Sequence, residues 1–468
     1  MSTTTDTSHA VVIGASMSGL LATRALANHF DHVTIVERDR LPDSASFRKG
    51  VPQSHHLHVL LPGGRLAVES LLPGFESDLV TAGAETVRFP QEALWLTPAG
   101  WSPRYEARAE DRLLCASRPL LETIVRRRVL DSDRVTVLDG CEVPELKTAG
   151  DGRVTGVQVR NRGDQQGGTR CELAADLVVD ASGRTSRCPD WLDALGYGRP
   201  QQTRIDSFLG YASRQYAPPP AWRSDWKAIF LMAKPPTQAR TGFLFPIEGG
   251  RWIVTLVGAG RDYPPTDDEG FLAFATSLRE PVIRDAIIDA EPLTPIYGYR
   301  RTENQRRHFE RLRRWPPGLI ALGDAACAFN PVYGQGMSVA AQTAVALDRE
   351  LRAGCDLRRL ARGFQRTVAA CGAGAWLLAT GEDLRYPTTE GSRAGIATRL
   401  THRYLDRVIR AATADTSTNL AFLEVLALLR PPASLFRPRV VASALRRHEP
   451  PARVPSAPAA KITGPDVA

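Results

Sequence analysis

Apolar runs and small-residue turns alternate at the start of the chain. Residues 10–13 are a short apolar run, residues 14–19 form a turn of small residues, and residues 20–30 carry apolar side chains at helical spacing. The β-branched run 33–36 follows, and Glu37 comes directly after it. This order of strand, turn, helix, strand and acidic residue predicts one βαβ unit at the amino-terminal end.

Similar patterns predict the elements that follow. Apolar runs predict strands at residues 135–138, 154–160, 176–180 and 318–322, and helical spacing predicts helices at residues 118–129 and 337–351.

The middle and the end of the chain have a different character. Residues 200–300 are rich in aromatic side chains and contain alternating runs such as 251–257, which predicts a mostly antiparallel sheet. Beyond residue 355 the pattern is helical, with a break at Pro431 and Pro432. The last twenty or so residues are rich in Pro and Ala, and we expect a loose tail there.

Composition and charge narrow the class of protein. The length of 468 residues predicts two or three packed units rather than one globule. The composition, 43% hydrophobic and 24% charged, argues against a disordered or fibrous chain. The net charge of +8 comes from 59 basic and 51 acidic residues. Because the Arg residues are scattered along the chain, a solvated Arg-rich surface is favoured over nucleic-acid binding.

Cysteine usage and the amino-terminal residues indicate a location. The seven Cys residues include no C-x-x-C pair, so neither a zinc site nor a disulfide framework is indicated, and we expect a reducing cytoplasm. The amino-terminal stretch has no basic region, which argues against a signal peptide. No run of about 18 apolar residues occurs, so no membrane span is expected.

The turn at residues 14–19 suits a phosphate group. Backbone N–H groups at the start of a helix bind a pyrophosphate, and only small residues allow the necessary close approach. Gly14 and Gly19 fill the outer positions of the G-x-G-x-x-G pattern, but the middle position is Ser16, and an ordinary tight turn would look the same. Glu37 lies where a carboxylate accepts hydrogen bonds from ribose hydroxyls, so a dinucleotide site is favoured over a surface acid.

A second informative segment lies far downstream. A strand ends at Gly323 and Asp324, where a carboxylate can accept a hydrogen bond from a polyol hydroxyl. A loop with Pro331, Gly334 and Gly336 then leads into a helix whose free N–H groups suit a partly negative oxygen, such as that of a reduced isoalloxazine. A structural loop is the alternative, but the pairing with the amino-terminal unit favours a flavin site.

Together these segments resemble the single-component flavoprotein monooxygenases, the fold of the aromatic hydroxylases and of squalene epoxidase, over roughly residues 9–390. The segments most similar to the flavin epoxidases of polyether antibiotic pathways, such as those of monensin and lasalocid, are 48–58, 115–122, 333–337 and 379–386.

The resemblance implies an α/β fold. It has a discontinuous Rossmann-type FAD-binding domain of the glutathione-reductase type, an antiparallel β-sheet substrate domain and C-terminal helices. The implied boundaries are 1–80, 110–190 and 300–350 for the FAD-binding domain, 81–109 and 191–299 for the substrate-binding sheet, 351–450 for the C-terminal helical region and 451–468 for the loose tail.

The resemblance also implies where FAD is held. In that family the first motif holds the ADP part, and the Gly-Asp motif, which carries over to Asp324, holds the ribityl chain and pyrophosphate. Arg48 and Arg118 are expected to reach phosphate or ribityl oxygens, a task suited to a guanidinium. The expected FAD-binding residues are Gly14, Ala15, Ser16, Ser18, Gly19, Glu37, Arg38, Arg48, Gln53, Arg118, Val143, Gly323, Asp324, Pro331, Gly334, Gly336 and Met337.

The chain departs from the family pattern at two positions. The middle motif, in which Asp-Gly is tied to flavin and reduced nicotinamide, aligns with Ser182 and Gly183, so a serine replaces the acid. It therefore stays open whether NAD(P)H reduces the flavin directly or through a partner flavin reductase. Cys327 stands where many hydroxylases carry His, and we attach little weight to this difference.

A metal site and two other classes of flavin enzyme are disfavoured. His55, His56 and His58 lack a nearby carboxylate or Cys and would not point one way on a regular element, so no metal is expected. The chain has no W-x-W, which disfavours a tryptophan halogenase. Gly258 and Gly260 precede a Pro-containing stretch that cannot open a dinucleotide helix, which disfavours a Baeyer–Villiger enzyme with two Rossmann units.

The expected function is FAD-dependent epoxidation of C=C bonds in a large apolar polyketide or polyene, with O2 as co-substrate and a flavin C4a-hydroperoxide as oxidant. Because the cofactor carries the chemistry, no catalytic side chain is expected, and the protein has to orient the alkene and exclude water. Hydroxylation of an aromatic natural product and flavin-dependent reduction of an isoprenoid double bond are the alternatives within the fold. Non-catalytic flavin binding is the alternative from another class.

Overall fold

The computed structural model describes residues 7–163 and 170–448. The predicted tail at 451–468 lies outside the described residues. The strands are β1 His9–Ile13, β2 His32–Val36, β3 Glu85–Arg88, β4 Ala93–Thr97, β5 Gly100–Trp101, β6 Arg112–Cys115, β7 Val135–Leu138, β8 Cys141–Thr148, β9 Val154–Asn161, β10 Arg170–Ala174, β11 Leu177–Asp180, β12 Gln202–Ile205, β13 Gly210–Ala217, β14 Ala228–Leu231, β15 Arg240–Ile247, β16 Arg251–Gly258, β17 Glu291–Pro292, β18 Tyr297–Tyr299, β19 Asn304–Arg307, β20 Leu319–Ala321 and β21 Cys327–Ala328.

The α-helices are α1 Met17–Leu26, α2 Pro62–Leu71, α3 Phe75–Thr81, α4 Arg118–Leu130, α5 Cys188–Ala194, α6 Asp268–Thr276, α7 Val282–Ile287, α8 Gly336–Arg352, α9 Leu357–Asp383, α10 Ile396–Ala412, α11 Thr416–Leu426 and α12 Pro438–Leu445. Among the described helices, none has the combination of length and apolar character that crossing a bilayer demands.

A five-stranded parallel sheet carries the predicted βαβ unit. Its order is β20-β11-β1-β2-β7, and every neighbouring pair is parallel. Strands β1, β11 and β20 are apolar along most of their length, as expected for a parallel sheet that is covered on both faces. Their carboxyl ends therefore meet at one edge, which brings Gly14, Ala181 and Gly323 near each other.

Helix α1 begins earlier than the sequence pattern predicts. The turn was expected to extend to Gly19, but the helix starts at Met17. Ser16 has an extended backbone and forms the helix cap, so Gly14 and Ala15 alone complete the turn. The small residues at 18 and 19 serve close packing inside the first helical turn instead.

The middle of the chain forms an eight-stranded sheet. The order is β17-β13-β16-β15-β14-β4-β5, and β18 also pairs with β13. The predicted antiparallel pairing is confirmed except for the parallel pair β14–β4. Helices α6 and α7 were not predicted, because the aromatic residues of this region indicated strands. The cap of α6 is Asp267, whose side chain accepts a hydrogen bond from Gly270 N, and an acidic first turn follows it.

The three largest of the five hydrophobic clusters among the described residues hold these layers together. The first surrounds the parallel sheet and includes α1, α4 and α8. The second lies between one face of the large sheet and the C-terminal helices, and the third lies between its other face and helices α6 and α7. The large sheet is therefore covered on both faces, and the C-terminal helices contribute to one of them.

Candidate functional site

A cavity of about 600 Å³ lies where the parallel sheet meets the large sheet. Most of the expected FAD-binding residues line it, namely Gly14, Ser16, Ser18, Glu37, Arg38, Arg48, Gln53, Arg118, Val143, Asp324, Pro331, Gly334, Gly336 and Met337. Ala15, Gly19 and Gly323 do not line it. The two predicted segments, far apart in sequence, thus border one space.

The glycines that do not line the cavity have a packing role beside it. A Cβ on Gly19 would lie 1.8 Å from Gly14 O, and one on Gly323 would lie 2.1 Å from Ser18 Oγ. Gly14 itself has φ +104°, and its Cβ would lie 2.7 Å from Ala181 O. Close approach of three strand ends therefore requires glycine here, and it leaves the turn open toward the cavity.

Glu37 holds the turn in place. Its carboxylate accepts hydrogen bonds from Ala15 N at 2.6 Å and from Asp39 N at 2.9 Å. The side chain is buried, yet it borders the cavity. Ala15 therefore acts through its backbone, and Glu37 links the turn to the end of the second strand.

Two buried arginines stand beside the turn and share one carboxylate. Arg118 donates to Ser16 Oγ at 2.8 Å and to Glu122 Oε2 at 2.7 Å. Arg48 donates to Glu122 Oε1 at 2.9 Å and to Ala15 O at 3.2 Å. Arg48 also pairs with Asp39 at 3.1 Å and with Glu37 at 3.4 Å, so carboxylates offset the charge of both guanidinium groups. What these contacts supply is two fixed sets of N–H donors beside the turn.

Asp324 turns a carboxylate toward the cavity from the end of the third strand. Within residues 7–163 and 170–448, no side chain or backbone N–H donates a hydrogen bond to it. Burial raises the pKa of Asp324, and nearby Arg184 opposes this shift. A carboxylate left without a donor in the protein fits an acceptor for the hydroxyls of a bound polyol.

The loop before helix α8 is anchored from the C-terminal region. Buried Asp383, at the end of α9, accepts hydrogen bonds from Tyr333 Oη at 2.8 Å, Asn330 Nδ2 at 3.1 Å and Asn304 Nδ2 at 2.6 Å. Burial raises the pKa of Asp383 to about 6. Sequence reasoning noted the segment around Asp383 only as a similarity, because its partners lie on other elements.

Ser182, the serine of the middle motif, contacts the buried carboxylate of Asp180. Ser182 Oγ and Ser186 Oγ both donate to the carboxylate of Asp180, each at 2.5 Å. Asp180 is fully buried and does not line the cavity, and burial raises its pKa. The acid therefore fixes the loop, while Ser182 and Gly183 face the cavity. Cys327, the other departure, does not line it.

The far wall of the cavity is largely aromatic. Tyr211, Phe230, Phe243, Val257 and Tyr299 come from the large sheet. Phe230 and Phe243 pack edge to face, with ring centroids 5.9 Å apart. This wall lines the same cavity as Gly14 and Asp324.

The histidine cluster of the sequence takes three separate environments. His55 stacks between Phe47 and Tyr297. His56 lines the cavity, and its Nδ1 lies 2.9 Å from Ser213 Oγ. Burial lowers the pKa of His56 to about 3, and burial together with Arg118 lowers that of His58 to about 4.

Neutral imidazoles are therefore expected at His56 and His58 near pH 7. In the described part of the chain, no group of three His, Cys, Asp or Glu side chains is arranged to hold a metal ion.

The sequence profile described as an FAD-binding domain matches residues 7–356, which is most of the chain. The chain belongs to this FAD-binding domain family. The expected FAD-dependent monooxygenase is confirmed at this level: the protein is a flavoprotein oxidoreductase of the FAD-binding monooxygenase family. The mixed α/β fold with antiparallel sheets agrees with the family.

One curated protein is similar to most of the chain. Protein Rv3254 of Mycobacterium tuberculosis (strain ATCC 25618 / H37Rv) is 34% identical over 375 residues, which cover 79% of each chain.

Solved structures show that the fold is shared widely. The flavin-dependent brominase Bmp2 has a TM-score of 0.63 at 14% identity and covers 93% of this chain and 97% of its own. PqsL of Pseudomonas aeruginosa, a probable FAD-dependent monooxygenase, has a TM-score of 0.58 at 17% identity, with 81% and 97% covered. The myxobacterial chondrochloren halogenase CndH has a TM-score of 0.60 at 15% identity, with 90% and 96% covered.

Proposed function

We propose that this chain is an FAD-dependent monooxygenase that epoxidises C=C bonds of a large apolar substrate of the polyketide or polyene class. The observation that carries the proposal is the single cavity bordered by the glycine turn, the Asp324 carboxylate and the aromatic wall of the large sheet. In this proposal the parallel-sheet unit is a Rossmann-type FAD-binding domain. The large sheet is then the substrate domain, with the boundaries stated from the sequence.

The residues at the turn fit FAD. The open turn beginning at Gly14 and the fixed guanidinium groups of Arg48 and Arg118 would hold the pyrophosphate, and Asp324 would accept from the ribityl hydroxyls. The loop that ends at Gly336 would border the isoalloxazine. When bound and reduced, FAD supplies the oxidising power by activating O2.

The task of the protein is then positioning and the exclusion of water. Phe230, Phe243 and Val257 would bury the apolar body of the substrate, and this wall would exclude water from the space where FAD would activate O2. Orientation of a double bond needs shape and contact area rather than a charged group. The apolar wall therefore suits an alkene.

Burial keeps His56 from acting as the base that hydroxylation of a phenol often uses. Phenol hydroxylation often uses a base to deprotonate the ring hydroxyl. With a pKa of about 3, His56 is too weakly basic to take a phenolic proton near neutral pH. Attack by an alkene needs no base.

Aromatic hydroxylation is the second candidate, and one observation favours it. His56 Nδ1, Ser213 Oγ and Thr255 Oγ1 form a hydrogen-bonded chain whose ends, His56 and Thr255, line the cavity. Such a chain could bind the hydroxyl of an aromatic substrate without taking its proton. Reduction of an isoprenoid double bond is the third candidate, and it would proceed without oxygen.

The source of electrons and the location are also proposed. We propose that NAD(P)H supplies the electrons. Ser182 replaces the acid that the family ties to reduced nicotinamide, so NAD(P)H reduces the flavin either directly or through a partner flavin reductase. All seven Cys are free, which is consistent with a reducing cytoplasm.

Oxygen uptake with defined substrates tests the proposal. The FAD-loaded protein is reduced chemically and mixed with air-saturated buffer containing an apolar polyene, a phenol or neither. Epoxide formation with the polyene supports the proposal, and hydroxylation of the phenol alone replaces it with the second candidate. Loss of a double bond under nitrogen indicates a reductase, and oxygen uptake that no substrate changes indicates flavin binding without this catalysis.

A further inference from the structure

The C-terminal helical region has an unusual surface. Among the residues that the structure describes, its large apolar side chains are the most exposed of the protein: Leu377, Ile396, Leu400, Phe436 and Leu445 are each more than half exposed. Single exposed apolar residues are ordinary, but a concentration of them in one region marks an interaction surface.

Part of this surface is continuous. Ile396, Leu400 and Tyr404 follow one another at intervals of four residues on helix α10, so they lie on neighbouring turns of one side. The ring of Phe436 stacks on Tyr404 with centroids 4.7 Å apart. We call these four residues the α10 patch. Ile396 is 73% exposed, and it protrudes from the first turn of the helix.

Positive charge surrounds the α10 patch. Residues 385–448 contain eleven Arg and only four Asp or Glu, so most of the net charge of +8 arises there. Arg399, Arg403, Arg407 and Arg410 are exposed on α10, and none of them forms an ion pair with another described residue. Their charge is therefore available to an anionic partner.

We propose that the α10 patch and its arginines dock the protein on the surface of an anionic lipid bilayer. The polar face of a membrane-binding helix is rich in basic residues, and a few apolar side chains enter the headgroup region. A fluid lipid surface accepts protruding side chains such as Ile396 without a matching pocket, whereas a protein partner would need shape complementarity. Each basic residue near the surface adds about fivefold to the affinity.

The position of the patch relative to the cavity gives the docking a purpose. Tyr404, Phe230 and Phe243 all pack against the second hydrophobic cluster, and both phenylalanines line the cavity. Docking through α10 would thus hold the aromatic wall close to the lipid phase, where an apolar compound accumulates. The docking goes beyond the proposed function and does not depend on which reaction the flavin performs.

Vesicle sedimentation tests the docking with the full-length, FAD-loaded protein. Vesicles of phosphatidylglycerol and phosphatidylcholine are compared with vesicles of phosphatidylcholine alone. We expect binding to the anionic vesicles only, weakened at least tenfold by raising the salt from about 0.1 M to about 1 M, because the charges are exposed. Arg403→Glu with Arg407→Glu should weaken binding at least tenfold, and Ile396→Ser with Leu400→Ser should weaken it at both salt concentrations.

A matched pair of variants separates the patch from net charge. Arg313 and Arg359 are exposed far from α10, and their double change to Glu alters the net charge equally. This variant should bind anionic vesicles like the wild type. Equal loss in both double variants, absence of binding, or equal binding to neutral vesicles would overturn the proposal. A wild-type dimer that Ile396→Ser with Leu400→Ser dissociates would also overturn it, since a second copy would then cover the patch.

Discussion

At the scale of single residues, the position of Asp324 suits ligand binding and lowers the stability of the ligand-free protein. Its carboxylate faces the cavity without a donor in the described part of the chain, and burial raises its pKa. A raised pKa means that ionisation destabilises the folded state as pH rises, so the charge is unfavourable at neutral pH. We expect Asp324→Asn to leave the melting temperature of the FAD-free protein unchanged or higher, while FAD affinity falls about tenfold. Thermal scans and a flavin fluorescence titration measure the two effects.

Asp348 provides the opposite control. Its carboxylate accepts hydrogen bonds from Asn28 and His29, and despite partial burial these donors lower its pKa. Because its folded-state pKa is lowered, ionised Asp348 stabilises the folded protein at pH values above the ordinary pKa of an Asp side chain. Asp348 does not line the cavity. Asp348→Asn should lower the melting temperature and leave FAD affinity unchanged. If both variants lost FAD equally, the loss would reflect general destabilisation.

His56 leads to a prediction about pH dependence. Because burial lowers its pKa to about 3, the imidazole stays neutral over the usual working range. We expect no inflection from His56 in kcat/KM between about pH 5 and pH 8. An inflection in the wild type that disappears in His56→Gln would show that His56 titrates during catalysis, and it would favour the hydroxylase over the epoxidase.

At the scale of elements, the end of helix α9 fixes the loop Pro331–Tyr333. Asp383 accepts hydrogen bonds from Tyr333, Asn330 and Asn304. Asp383→Asn would set its amide hydrogens against those of the two asparagines, which displaces the loop. We expect FAD to bind about tenfold more weakly in this variant, whereas Tyr333→Phe, which removes one donor, should have a smaller effect. The same fluorescence titration compares the two variants, and equal affinities for all three proteins would contradict this role.

The pH dependence of stability tests the same carboxylate. The folded-state pKa of Asp383 is about 6, above the ordinary value of 3.8, so the folded state binds a proton that the unfolded state lacks between these values. Stability from this group is present at low pH and is lost as pH rises through about 6. From about pH 7 to about pH 4, the wild type should gain up to about 3 kcal/mol relative to Asp383→Asn. Urea unfolding of both proteins measures the difference, and parallel profiles would contradict it.

Sequence reasoning works for elements whose cause is local. The strand ending at Ile13 and the helix beginning at Arg118 follow from their own apolar and capping residues, and Ser117 accepts a hydrogen bond from Leu120 N. Helix α6 was missed because its surroundings are rich in strands. The contact between Asp383 and Tyr333 could not be predicted, because it depends on the direction of side chains from two elements 50 residues apart.

At the scale of the whole molecule, the large sheet and the parallel sheet share one cavity, so the two halves of the site can be separated by mutation. Val257 belongs to the large sheet and lines the cavity. Replacing it with Phe and with Trp should fill the substrate space progressively, since the buried strand beneath cannot yield much.

We expect substrate-dependent oxygen uptake to fall from the wild type to Val257→Phe, and again from Val257→Phe to Val257→Trp. The KM for the substrate should be the first kinetic constant to change. FAD affinity and the flavin absorption spectrum should stay those of the wild type, because the turn at Gly14 and the Asp324 carboxylate are untouched. Val257→Ala is the matched control: it enlarges the space, so it should accept bulkier substrates and keep turnover. Parallel loss of FAD and activity along the series would mean that the wall supports the cofactor instead of the substrate, and the division of labour between the two sheets would be wrong.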